Sequence, residues 1–215
     1  MLAGIPVNLI TGRDAALKSR LLERLIALRP AAARWAVLLN EAGAAAATTV
    51  TANPGLFFSE VAQGCICCTA QLPLRVALTR LLRETAPDRL LILAAGGART
   101  TEILRLLSDR WLSPVLSLRA SIHVLAMADL PALSGDDTQA GQLAAAQVVA
   151  IDEGSAGEAV YAAAVRRLSA SGNTPLIRRL RSGAIDLALL DLPGVVLAPR
   201  FRSMQSAPGS QQGQN

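Results

Sequence analysis

Short aliphatic runs alternate with amphipathic stretches along most of this chain, and that alternation restricts its fold more than any other feature. Ile5–Thr11 and Trp35–Leu39 are β-rich apolar runs of strand length. Lys18–Arg29 follows the first with Leu21, Leu22, Leu25 and Ile26 at helical spacing. Leu74, Leu78, Leu81 and Leu82 mark a second amphipathic helix, closed by Pro87. Further strands are expected at Leu90–Leu93, Ile122–Met127 and Val148–Ile151, and further helices at Thr101–Leu107 and about Glu158–Leu168. Strand and helix in alternation predict an α/β chain: a mostly parallel sheet with helices on both faces, in three layers. Aromatics make up 3% of the 215 residues and apolar residues 52%, which suits aliphatic strands under helices.

Composition excludes several other classes. The longest apolar run, Leu90 to Ala98, falls well short of the roughly 20 residues a spanning helix needs. The N-terminus opens directly in a strand without a basic leader, so a soluble, cytoplasmic protein with no membrane role is expected. The net charge of +5 comes from scattered arginines without a basic stripe and interleaved aromatics, so no nucleic-acid partner is expected. One domain over residues 1–198 is expected, followed by a disordered tail at 199–215, where the composition turns to Gly, Ser and Gln.

Between the first strand and first helix stands GRDAALKS, Gly12 to Ser19. The phosphate-binding pattern is G-x-x-x-x-G-K-[ST] in that context, and Gly12, Lys18 and Ser19 fall in register with it. Of 21 basic residues only Lys18 is a lysine, and it holds the position that reaches the β- and γ-phosphates. Leu17 replaces the second glycine, where a branched side chain crowds the approach of backbone N–H groups to phosphate. Asp14 adds a negative charge beside it. An ordinary strand-to-helix turn with a lysine in the first helical turn accounts for the same residues.

All three cysteines lie in Gly64-Cys65-Ile66-Cys67-Cys68-Thr69. An odd, tight cluster is not a disulfide framework. Three thiolates can ligate zinc and leave one tetrahedral position open, for which Glu60 is the nearest carboxylate. A vicinal Cys67–Cys68 redox pair, or buried thiols with one reactive member, fits the same spacing. His123, the single histidine, reads as a packed strand residue.

A strand, a phosphate loop, a second strand ending Asn40-Glu41-Ala42-Gly43, then Glu60 and Gly64–Thr69 stand in the order found in CobW-like GTPases. From about residue 4 to about residue 192, including the Asn173-Thr174-Pro175 turn and the helices expected after it, the chain resembles the CobW/HypB/UreG nucleotide-binding domain. The resemblance implies a P-loop NTPase-like fold and GTP with Mg²⁺ at Gly12, Lys18, Ser19, Glu41 and Gly96. It also implies zinc or cobalt at Cys65, Cys67, Cys68 and Glu60, delivered to a client metalloprotein or metal-insertion enzyme, in a homo- or hetero-oligomer. The departures concern nucleotide chemistry. Leu93-Ala94-Ala95-Gly96 keeps only the glycine of the family's E-T-[ST]-G. Asp152-Glu153-Gly154-Ser155 lacks the lysine and aspartate of the base-reading [NT]-K-x-D, and the C-terminal domain typical of the family is absent from this sequence. With these departures, the resemblance implies a GTP-binding metallochaperone-type protein with weak or absent hydrolysis and no assignable catalytic residue. A pseudo-GTPase metal carrier or partner subunit and a thiol redox module are the alternatives.

Overall fold

The computed structural model describes residues 4–40, 53–61, 71–170, 174–181 and 185–195. Along the chain these form β1 (Ile5–Thr11), α1 (Ala15–Leu28), β2 (Trp35–Leu39), β3 (Leu56–Glu60), α2 (Gln71–Thr85), β4 (Arg89–Leu93) and α3 (Thr100–Leu107). There follow β5 (Leu116–Leu118), β6 (Ile122–Ala126), a 3-10 segment (Met127–Gly135), α4 (Asp137–Ala144), β7 (Val148–Asp152), α5 (Glu158–Ser169), β8 (Leu176–Arg179) and α6 (Ala188–Asp191).

The strands build one sheet in the order β3-β2-β4-β1-β6-β7-β8, with β5 paired to the first half of β1. All of the ladders between these strands are parallel. Side chains alternate across such strands with a period of two, and the aliphatic runs use both faces. Trp35, Val37 and Leu39 of β2, with Leu91 and Leu93 of β4, pack on Leu17, Leu21, Leu22 and Leu25 of α1. Ala36, Leu38, Leu90 and Ile92 face the other way, onto Leu74, Leu78 and Leu81 of α2 and Ile103, Leu104 and Leu107 of α3. A smaller cluster joins Val149 and Ile151 of β7 to Ala164 and Leu168 of α5. The expected α/β fold with helices on both faces is the one observed.

Two local expectations change, and an edge strand stands where none was expected. Helix α1 begins at Ala15, three residues before Lys18, because Asp14 caps it: the Asp14 side chain accepts from the Leu17 N–H. Leu176–Arg179 is a strand added beside β7, not a helix. Leu56–Glu60, which carries no strong sequence signal, is an edge strand with a half-exposed pattern. The proposed tail at 199–215 lies outside the described residues.

Because the strands run parallel, the loops after β1, β4, β6 and β7 emerge at the same carboxyl edge, where open α/β sheets bind ligands. The chain moves outward from β1 in both directions, so the loops after β1 and β4 sit side by side at that edge.

Candidate functional site

The loop after β1 is short. Thr11 ends the strand, Gly12 turns with φ +136°, and only Arg13 and Asp14 separate it from α1. The turn requires glycine, since a Cβ at Gly12 would stand 2.4 Å from the Val124 carbonyl oxygen. Beyond it the Asp14 carboxylate accepts from the Leu17 N–H at 3.0 Å, and the Lys18 N–H is bonded to the Asp14 carbonyl at 3.2 Å. A helix N-terminus attracts an anion through its free N–H groups and its dipole. Here the chain's own carboxylate supplies that anion.

Leu17 is buried at 5% exposure, in the cluster that holds Ile10 and Leu21. The residue expected to crowd a phosphate is thus a core residue of the first helical turn. Lys18 is fully buried and donates through Nζ to the Ala94 carbonyl at 2.7 Å, across the β1–β4 seam. Ser19 is half-buried one position further along the helix. In this arrangement the Leu17 N–H is engaged, the Lys18 ammonium is bonded to backbone, and Asp14 stands at the helix end.

The loop after β4 lies against this one. A Cβ at Gly96 would come within 3.0 Å of the Arg13 carbonyl oxygen, so the family's surviving glycine marks a close approach of two backbones. Two glutamines of α4, neither expected from the sequence, join the loops. Gln142 Oε1 accepts from the Gly12 N–H at 3.0 Å, and its Nε2 donates to the carbonyls of Gly96 at 3.0 Å and Ala98 at 2.8 Å. Gln139 Nε2 donates to the Gly96 carbonyl at 3.0 Å and to Gln142 Oε1 at 3.3 Å. Outside them Arg13 pairs with Asp136, the N-cap of α4. The Asp136 carboxyl is held below the usual carboxylate range by the Gln139 N–H it caps, and further by Arg13. A sequence signal existed only for the cap, an aspartate three residues before Gln139.

Beneath the loop, Thr11 Oγ1 and His123 Nδ1 share a hydrogen bond of 3.1 Å between paired positions of β1 and β6. His123 is fully buried, as its reading as a packed residue requires. Burial, with the Lys18 charge adding to it, lowers its pKa from 6.5 to about 4.

At the end of β7, the position expected for base reading holds a closed ion cluster. Arg181 grips both carboxylate oxygens of Asp152, and Arg20 of α1 lies 3.6 Å away. The Arg181 hydrogen bond, followed by the arginine charges, keeps the Asp152 carboxyl below its usual range. Arg24 fixes the arrangement by donating to the Arg181 carbonyl at 2.9 Å.

The sequence-expected metal site is met only at its border. Glu60 is exposed at the end of β3, in register with Leu39, and buried Asn40 continues β2. The Asn40 N–H donates to the Leu93 carbonyl at 3.0 Å, which ties this corner to β4. Glu41, Cys65, Cys67 and Cys68 lie outside the described residues, and no group of three or more His, Cys, Asp or Glu able to hold a metal occurs among the described ones.

A parallel sheet flanked by helices, with a β1–glycine turn–α1 unit at its centre, defines a P-loop NTPase-like protein. The match of residues 6–155 to the CobW/HypB/UreG nucleotide-binding domain goes further: the chain belongs to that family. It is 33% identical over 194 residues to zinc chaperone YeiR of Escherichia coli (strain K12), covering 86% of this chain and 58% of that protein, so it spans under two thirds of that relative's length. Among solved structures, the Zn(II)-bound YjiA GTPase from E. coli superposes with TM-score 0.66 at 22% identity, covering 94% of this chain and 68% of that one. The hydrogenase maturation factor HypB from Archaeoglobus fulgidus gives 0.57 at 16%, covering 83% of each chain. At these identities the two structures bear on the fold.

Proposed function

We propose that this chain is a metallochaperone-type protein that carries zinc, or cobalt, on Cys65, Cys67 and Cys68 with Glu60 as fourth ligand, and hands it to a client metalloprotein. Its nucleotide site binds GTP weakly and hydrolyses it slowly or not at all. The observation that carries the second statement is the Asp14 carboxylate on the Leu17 N–H, at the helix end a phosphate would need. Lys18, bonded to the Ala94 carbonyl, and Leu17, packed in the core, support it. The first statement draws on the three-thiolate spacing, whose soft ligands suit zinc, and on the likeness to a protein described as a zinc chaperone.

Purified protein is expected to hold about one Zn²⁺ per chain. Cys67→Ser should reduce that content sharply, while Lys18→Ala should leave it unchanged in folded protein. Equal loss of zinc in both variants would refute the separation of the two sites. Calorimetric titration of Mg·GTP, with Mg·ATP as control, tests the nucleotide statement: low-micromolar, GTP-selective binding would overturn it.

A further inference from the structure

We infer that Gln142 is a latch that holds the phosphate loop shut from the far side of the sheet edge. The inference rests on the weak-nucleotide reading above and gives it a mechanism. A carboxamide has two donor hydrogens and two acceptor lone pairs. Gln142 uses all four: Oε1 accepts from the Gly12 N–H and from Gln139 Nε2, while Nε2 donates to the Gly96 and Ala98 carbonyls. At 1% exposure its side chain is withdrawn from solvent into an interior where hydrogen bonds are stronger.

The partners matter more than their number. Gly12 belongs to the loop after β1, Gly96 and Ala98 to the loop after β4, and Gln142 to α4. One buried side chain therefore fixes the spacing of the two loops between which the phosphates of a nucleotide would have to sit. A packing residue would touch side chains; this one bonds only loop backbone and its own helical neighbour. The Arg13–Asp136 pair repeats the connection outside, between the same β1 loop and the start of the same helix. Opening the β1 loop for a phosphate thus requires α4 to release it, and occupancy of the loop is coupled to the position of α4.

A closed population lowers apparent affinity by the fraction of molecules that are open. Removing the latch should raise that fraction, so Gln142→Ala is expected to bind Mg·GTP roughly tenfold more tightly than the wild type, while its melting temperature falls. The opposite signs are diagnostic, because a residue with a purely structural role would weaken binding and stability together. Wild-type protein should also protect the Gly12 amide from hydrogen exchange, and Gln142→Ala should expose it. Gln142→Glu, which turns an oxygen toward the Gly96 and Ala98 carbonyls, serves where the alanine variant does not fold. Unchanged or weaker Mg·GTP binding in the folded variant, or a Gly12 amide that exchanges freely in the wild type, would overturn the latch. Tight GTP binding by the wild type would instead refute the weak-nucleotide reading. The ratio of variant to wild-type affinity still decides the latch in that case.

Discussion

Protonation of His123 should set how this protein fails in acid. The side chain lies fully buried between β1 and β6, bonded to Thr11, with the Lys18 ammonium near enough to disfavour a second positive charge. Its pKa falls from 6.5 to about 4 on folding. Between those two values the unfolded chain carries a proton at this site that the folded chain does not. Stability therefore rises with pH through the window. The contribution is complete above 6.5 and is lost as the pH falls to about 4. At about 1.4 kcal/mol per pH unit, the full loss is roughly 3 kcal/mol, a sizeable share of the roughly 5–15 kcal/mol that holds a domain together. Asp136 and Asp152, both held below the ordinary carboxylate range, lose their stabilisation at lower pH, beneath this window. Urea unfolding at a series of pH values from 7.5 to 4.5 measures the effect against His123→Asn, which cannot titrate. The variant should be less stable at pH 7.5, and the gap should shrink by about 2 kcal/mol at pH 4.5. A gap that stays constant across the series would refute the assignment of a neutral, buried His123.

Two further outcomes follow from the loops. Gly12→Ala should cost about 3 kcal/mol in urea unfolding, from the Cβ contact with the Val124 carbonyl and the positive φ. Gly141→Ala, on a helix position with open space around it, should instead gain about 0.5–1 kcal/mol. A neutral Gly12→Ala would show that the turn is not built as described. At the β7 end, Arg181→Ala should leave Asp152 with Arg20 beside it and create no base reader, so Mg·GTP and Mg·ATP affinities should stay within about tenfold of each other. A clear guanine preference in that variant would refute the reading of Asp152–Ser155 as unable to recognise the base.

The fold was legible in the sequence wherever a strand is buried on both faces. WAVLL, RLLIL and VVAID are buried throughout or nearly so, and a strand of that kind must be a continuous apolar run. Edge strands give no such signal. LFFSE at Leu56–Glu60 and LIRR at Leu176–Arg179 are half-exposed, which lets polar and charged residues into them, so neither reads as a strand. The start of α1 is not legible in the leucine spacing either. Helical spacing of leucines locates a buried face, but the first turn is set by which side chain caps it, and Asp14 takes that role three residues before Lys18.

By itself, the sequence determined the parallel α/β architecture, the placement of Gly12 and Gly96 at turns and that of Lys18 early in the helix after the first strand, because strand and helix periods and glycine's backbone freedom are local properties. The tertiary structure decided what those residues touch. Lys18 meets a carbonyl 76 positions away and Gly12 a carboxamide 130 positions away. Crossover connections deliver the loops after β1, β4 and β6 to one edge of the sheet, and no local pattern records which polar groups will face each other there. A glutamine in a short helix looks like solvent-facing surface until the loops it joins are folded around it, and burial then demands that all four of its hydrogen-bonding positions be filled.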